Sequence, residues 1–253
     1  MTLKVAVLVK QVPDHEATVR IDGDGLEIEE RWVTSFFDEI AVEAAVAVRK
    51  AIPDAGLKAF SAGGKLAVEA LRRAMAMGVD EVEQVGDESL EGASGLSVAR
   101  ALAAALARWQ PDLVLCGKQA GDDDMGAVGP MISALLGMPV VGAATSLAVD
   151  AAARKARLTR SVDGERWAVE AGLPLVVTAE KGLAEPRVPV VMRVMKAMRA
   201  EVPAVSLAEL GVEPATDGVR RLGYFGPPER PEVRMVESVD ELTRLLRQRG
   251  VLA

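Results

Sequence analysis

Residues 111–137 read PDLVLCGKQAGDDDMGAVGPMISALLG. The run Leu113-Val114-Leu115-Cys116 is short and wholly apolar, which predicts a buried strand over 113–116. A loop of Gly and Asp follows, and a helix is expected to open near Val128. Pro130 suits a first helical turn, where its missing N–H is an orphan in any case. Val128, Met131, Ala134 and Leu135 recur at helical spacing and mark the expected apolar face, with Gly137 just past the helix end. A strand feeding a glycine-containing loop and a helix N-terminus presents free N–H groups at the positive end of the helix dipole. On this geometry the stretch is either an anion site or an ordinary strand-to-helix connection with acidic residues near its start.

Working outward, the same strand-then-helix unit recurs before it. Val5-Ala6-Val7-Leu8-Val9 is a continuous apolar run, the mark of a strand covered on both faces. Segments 18–21 and 26–30 flank Asp22-Gly23-Asp24-Gly25 and predict a hairpin. Ser35-Phe36-Phe37-Asp38 has the spacing of a capping box ahead of an Ala-rich helix over 39–52. A strand at 57–60, a helix stopped by Gly78, a strand at 82–85 and a helix over 96–109 complete the series. Alternation of this kind means an α/β fold, a doubly wound and mainly parallel sheet of Rossmann type. With strand order 3-2-1-4, the loops after Val9, Phe60 and Cys116 open on one side, where such sheets bind ligands.

Beyond residue 141 the pattern changes. Segments 146–149, 155–162 and 167–170 predict an antiparallel addition, and 173–178 returns to a buried strand. The expected division is a nucleotide-binding domain over 1–180, a loop or short helix over 181–200, and a C-terminal arm over 201–253. The arm is rich in Pro and Gly and ends in an amphipathic helix over 238–249, with Ser238 and Glu241 as a second capping box and Leu242, Leu245 and Leu246 on one face. With little core of its own, the arm needs this protein's surface or a partner to lie against.

Composition narrows the function. The net charge of −7 argues against general nucleic-acid binding. Cys116 is the only cysteine, so neither an intrachain disulfide nor a zinc cluster is available. His15 is the only histidine and sits in a polar loop, which leaves little scope for a catalytic triad and none for a two-histidine metal site. No apolar run approaches the roughly 20 residues of a membrane span, and the chain enters a strand at once, so a cytoplasmic location is expected. Neither a Walker A loop nor a G-x-G-x-x-G follows a strand. Asp122-Asp123-Asp124 lacks the alternating ligand spacing of a calcium loop; one Asp is expected to cap the helix and another to reach a ribose hydroxyl or a loop N–H. Lys118 is the nearest expected partner for these acids.

Five blocks in order carry a family resemblance: Lys10-Gln11-Val12-Pro13-Asp14, Glu39-Ile40-Ala41-Val42-Glu43-Ala44-Ala45, Ala74-Met75-Ala76-Met77-Gly78-Val79-Asp80, Gly117-Lys118-Gln119-Ala120-Gly121-Asp122-Asp123-Asp124 and Leu183-Ala184-Glu185-Pro186-Arg187. Together they resemble the β (small) subunit of electron-transfer flavoprotein, from residue 3 to the end of the chain. The resemblance implies an αβ heterodimer with one FAD held mainly by the α subunit. It also implies an electron carrier, with no catalytic side chains, between flavin dehydrogenases such as acyl-CoA dehydrogenases and an electron-transfer flavoprotein–quinone oxidoreductase. A structural AMP is implied in this subunit. Its contacts would fall on Leu8, on Ser35, Phe36, Phe37 and Asp38, on Ala62, and on Asp122, Asp123, Asp124, Met125, Gly126, Ala127, Val128, Gly129, Pro130, Met131, Ile132 and Ser133. His15 aligns with a residue lying near the α-bound FAD. Val191 aligns with the residue that anchors the partner dehydrogenase.

Departures from the family pattern matter. Gly126-Ala127-Val128 stands where respiratory relatives place polar side chains, so phosphate binding would rest on backbone N–H groups. Val128-Gly129-Pro130 is closer to electron-bifurcating relatives, which hold a second FAD in the same cleft. Those relatives read Asp-Gly-Asp-Thr where this chain reads Asp122-Asp123-Asp124-Met125, and the comparison favours AMP. A free-standing adenine-nucleotide sensor on the same fold is the alternative of a different class.

Overall fold

The computed structural model describes residues 2–23, 25–214, 222–230 and 233–252. The elements run β1 (Lys4–Leu8), β2 (Gln11–Pro13), β3 (Val19–Asp22), β4 (Gly25–Ile28), β5 (Trp32–Thr34), α1 (Phe36–Ala51), β6 (Gly56–Ala62), α2 (Lys65–Met77), β7 (Glu81–Val85), α3 (Gly95–Trp109) and β8 (Leu113–Gly117). They continue with α4 (Val128–Leu136), β9 (Val140–Asp150), β10 (Lys155–Val162), β11 (Glu165–Gly172), β12 (Leu175–Ala179), α5 (Val191–Arg199), β13 (Ala204–Val205) and α6 (Val239–Gln248). The chain forms two compact units, one of residues 1–19 and 28–221, the other of 20–27 and 222–253.

The larger unit is built on a nine-stranded sheet of order β11-β10-β9-β12-β8-β1-β6-β7-β13. The four strands read as successive strand-helix units, β1, β6, β7 and β8, lie in the order 3-2-1-4, and their pairings are parallel. Alternation along β1 shows why a continuous apolar run was required. Val5 and Val7 join the core under α1 and α2, while Ala6 and Leu8 join the core under α3 and α4. The winding reverses between β1 and β8, which places a crevice at their carboxyl ends.

Several elements differ from the sequence expectation. The strand predicted at 146–149 is part of a longer one: β9 pairs parallel with β12 at Val140 and Val141, then antiparallel with β10 as far as Asp150. At the junction Ala143 takes φ 53°, and its N–H donates to Thr178 Oγ1 at 2.9 Å. Helix α4 buries Gly129, Ile132 and Ser133, whereas Ala134 and Leu135 of the expected face are exposed. The cause is Gly129: a Cβ there would stand 2.8 Å from Cys116 Sγ and 2.9 Å from Thr178 Cγ2, so the helix comes down on the sheet along its glycine side. Residues from 204 onward, read as the start of an arm, first add β13 parallel to β7 and bury Val205 and Leu207.

The smaller unit holds the hairpin tip and the C-terminal segment; Asp24 of the expected turn lies outside the described residues. Ser238 Oγ accepts the Glu241 N–H at 3.2 Å and starts α6, none of whose residues is buried. No helix among the described residues is long and apolar enough to cross a membrane.

Candidate functional site

The crevice is assembled at the end of β1. After Leu8 the chain runs into the β2–β5 ribbon, which returns it to its starting point, where the Ser35 N–H donates to Lys10 O at 2.9 Å. This closure sets α1 to begin at Phe36, three residues before its expected start. The capping box does not form. Ser35 Oγ is buried and has no hydrogen-bond partner, and Asp38 turns away from it. Instead Asp38 Oδ2 accepts from the Lys10 N–H at 2.9 Å and Oδ1 from the Gly117 N–H at 2.8 Å. Burial pushes the Asp38 carboxyl up to about 7, against the pull of those two N–H bonds and of Lys10.

Gly117 is the hinge of this arrangement. A Cβ there would lie 2.6 Å from Asp38 Oδ1 and 2.8 Å from Phe37 Cβ, so only glycine lets α1 close on the end of β8. Gly126 brings the loop back: its φ is 60°, and a Cβ would stand 3.2 Å from Lys118 O. Among the described residues the N–H groups of Gly126, Ala127, Val128 and Gly129 have no protein acceptor. They sit at the amino end of α4, where the dipole favours an anion.

The acidic run meets one half of its expectation, an Asp reaching a loop N–H, and not the other, an Asp capping the helix. No Asp caps α4, whose N-cap is Ala127 with no side-chain bond. Asp123 Oδ1 accepts from the Met125 N–H at 3.0 Å, and Asp124 Oδ1 accepts from Gln119 Nε2 at 2.7 Å. The partner of the run is Lys10, not Lys118: Lys10 Nζ meets both oxygens of Asp122, at 2.6 and 2.8 Å, and Asp123 at 3.5 Å. Lys118 pairs with Glu180 at 2.6 Å and lies 4.9 Å above the Phe37 ring. In the second loop, Gln84 Nε2 donates to the carbonyls of Gly63 and Gly64, and the Gly64 N–H is taken by Glu91 at 3.0 Å. Lys10, Gln84 and Glu91 were missed in the sequence because each acts across 20 residues or more. Their position at or near strand ends was the only available signal.

The crevice thus offers four consecutive N–H donors beside a doubly wound switch point. Comparison with known proteins gives it a context. Residues 26–210 match the model of the electron transfer flavoprotein domain. Over 245 residues the chain is 34% identical to an electron transfer flavoprotein subunit beta of Megasphaera elsdenii, covering 90% of this chain and 89% of the relative. It is 34% identical over 254 residues to one of Bradyrhizobium diazoefficiens (99% of this chain, 100% of the relative). With one of Homo sapiens the identity is 32% over 253 residues, 98% of each. The chain belongs to the electron transfer flavoprotein β-subunit family.

The sequence-derived positions of an electron transfer flavoprotein β chain divide into groups. Leu8 and Ala62 end the neighbouring parallel strands β1 and β6, and Ser35, Phe37 and Asp38 stand where α1 begins, with Asp38 tied to Lys10 and to Gly117 at the end of β8. Phe36 is exposed at the start of α1, with its ring 5.5 Å from that of Phe37, and Met125 is exposed in the loop. Ile132 lies in the core, and Ser133 Oγ donates to Met138 O at 2.6 Å, so both side chains are engaged away from the crevice. His15 stands apart in the loop before β3, with its side chain 90% exposed. Val191 opens α5, exposed together with Met192, Met195 and Met198; only Ala197 of this helix is buried. The loop leading there is fixed to α1 by Arg187, whose guanidinium holds both oxygens of Glu43 at 2.6 and 2.7 Å.

Proposed function

We propose that this chain is the β subunit of an αβ electron transfer flavoprotein. In this reading it carries a structural AMP in the crevice and serves an FAD held mainly by the α subunit. The observation that carries the reading is the row of unpartnered N–H groups from Gly126 to Gly129, in a chain similar from end to end to β subunits of this family. The residues present fit a phosphate: the donors are backbone groups, Gly126 has the left-handed φ they require, and Pro130 supplies no competing N–H. Ser35 Oγ, at the start of α1, is buried without a partner.

When bound, the flavin supplies the electron chemistry. This chain's own residues bind and orient: the amino end of α4 holds the phosphate, Lys10 keeps the Asp122 and Asp123 charges off it, and the exposed apolar face of α5 docks flavin dehydrogenases. A quinone oxidoreductase is the proposed acceptor.

The test is to denature the purified protein and identify what it releases. About one AMP per β chain, with FAD on a co-purifying second chain, is the expected result. A second FAD per heterodimer in place of AMP overturns the AMP reading in favour of electron bifurcation. A stable, flavin-free chain with no partner points to a nucleotide sensor.

A further inference from the structure

Asp38 lies at the point where the sheet winding reverses. Its two carboxylate oxygens take the N–H of Lys10, just beyond β1, and the N–H of Gly117, the last residue of β8. One side chain from α1 therefore fastens the carboxyl ends of two neighbouring central strands. The fastening continues toward the crevice. Gly117 has no room for a Cβ beside Asp38, and the next residue, Lys118, offers the carbonyl against which Gly126 is packed. Gly126 is the first of the four free N–H groups.

We propose that Asp38 is a positioning residue of this crevice: through the N–H groups of Lys10 and Gly117 it holds β1, β8 and the Gly126 loop in the shape that retains the nucleotide, without touching the nucleotide itself. The proposal rests on the reading of the crevice as an AMP site. Both oxygens of Asp38 are already engaged by main-chain donors, and its side chain is buried. The charged and titratable groups facing it are Lys10 from the β1 side, Asp122 from the loop after β8, and Cys116 on β8, whose thiol is pushed up by burial. Ionised, the carboxyl accepts both N–H bonds strongly. Protonated, its hydroxyl oxygen is the weaker acceptor and one strand end is loosened.

The experiment uses the intact heterodimer with its own nucleotide and compares wild type with Asp38→Asn and Asp38→Ala. Amide hydrogen exchange is followed at Lys10 and Gly117, and loss of AMP is followed by gel filtration between pH 6 and pH 8. Wild type should protect both amides and lose AMP about tenfold faster at the acid end, as expected for one bond to a charged group. Asp38→Asn should expose one of the two amides and lose AMP quickly at every pH. Any slope left in that variant should centre near 6, where the phosphate itself titrates. Should Asp38→Ala fail to fold, Asp38→Asn carries the test, since it keeps the shape.

Unchanged exchange at both amides in Asp38→Asn overturns the clamp. Changed exchange with unchanged AMP loss overturns its role in retention. A wild-type protein without AMP overturns the reading of the crevice and the retention role with it, and the amide exchange then decides the clamp alone.

Discussion

Gly129 and Gly126, both near the crevice, do different things, and substitution should separate them. Gly129 is a packing position, where a methyl group would meet Cys116 and Thr178 below 3.0 Å. Gly129→Ala should therefore cost about 1–3 kcal/mol in urea unfolding, as overpacking does. Gly126 is a backbone position. Gly126→Ala forces an L-residue to φ 60° against Lys118 O, which should cost about 1–2 kcal/mol and lower AMP content. Full AMP occupancy and full stability in Gly126→Ala would show that the loop does not depend on that conformation. Asp38 gives a pH signature. Its folded value near 7 lies above the ordinary 3.8, so the stability it contributes is complete below about pH 3.8 and declines up to about pH 7. Urea midpoints of wild type should fall more across that window than those of Asp38→Asn; parallel profiles would remove Asp38 as the cause. Global stability and nucleotide retention run in opposite directions with pH, because burial opposes the charge while the two N–H bonds depend on it.

Elements were legible wherever the pattern was local. The alternation of strands and helices and the helix after Asp124 follow from apolar runs and punctuating Gly and Pro, whereas the order 3-2-1-4 enters the sequence reading only as a condition, which the pairings of β1, β6, β7 and β8 meet. The two capping boxes show where a local pattern stops being enough. Ser238-x-x-Glu241 and Ser35-x-x-Asp38 share a spacing, yet only the first makes its cap bond. Asp38 is claimed by Gly117, 79 residues away in the chain, and no window of four residues contains that competitor. The contacts of Lys10 with the acidic run and of Glu91 with Gly64 were hidden for the same reason. Helix α5 offers a prediction at this scale. It presents Val191, Met192, Met195 and Met198 to solvent, and an apolar side chain on such a surface is suited to be a docking hot spot. Val191→Ala should slow reduction by a partner dehydrogenase about fivefold or more, the effect of losing upwards of 1 kcal/mol, with FAD content unchanged. Equal rates in stopped-flow reduction would move the docking site elsewhere.

For the whole molecule, the decisive question is where the α/β unit stops and the C-terminal arm, which needs a surface to lie against, begins. The apolar residues of 202–212 are broken up by Pro203, Ser206, Glu209 and Gly211, so no run announces a strand, yet Ala204 and Val205 extend the sheet beside β7, and Val205 and Leu207 enter the core under α3. Removing the chain from residue 202 would strip an edge strand along with the arm, and a failure to assemble would then say nothing about the arm. A cut after Pro214 separates the two effects. That truncation keeps every strand of the nine-stranded sheet and removes α6, whose Leu242, Leu245 and Leu246 have no buried position in this chain. The shortened protein should retain its far-UV circular dichroism per residue and unfold cooperatively, but should no longer co-purify with a flavin-bearing second chain. Retention of that chain at normal stoichiometry would assign the heterodimer contact to the α/β unit alone. A cut at 202 should in addition lower the thermal midpoint, because the buried positions of Val205 and Leu207 are then lost to the core, each worth about 1.5–3 kcal/mol of apolar burial.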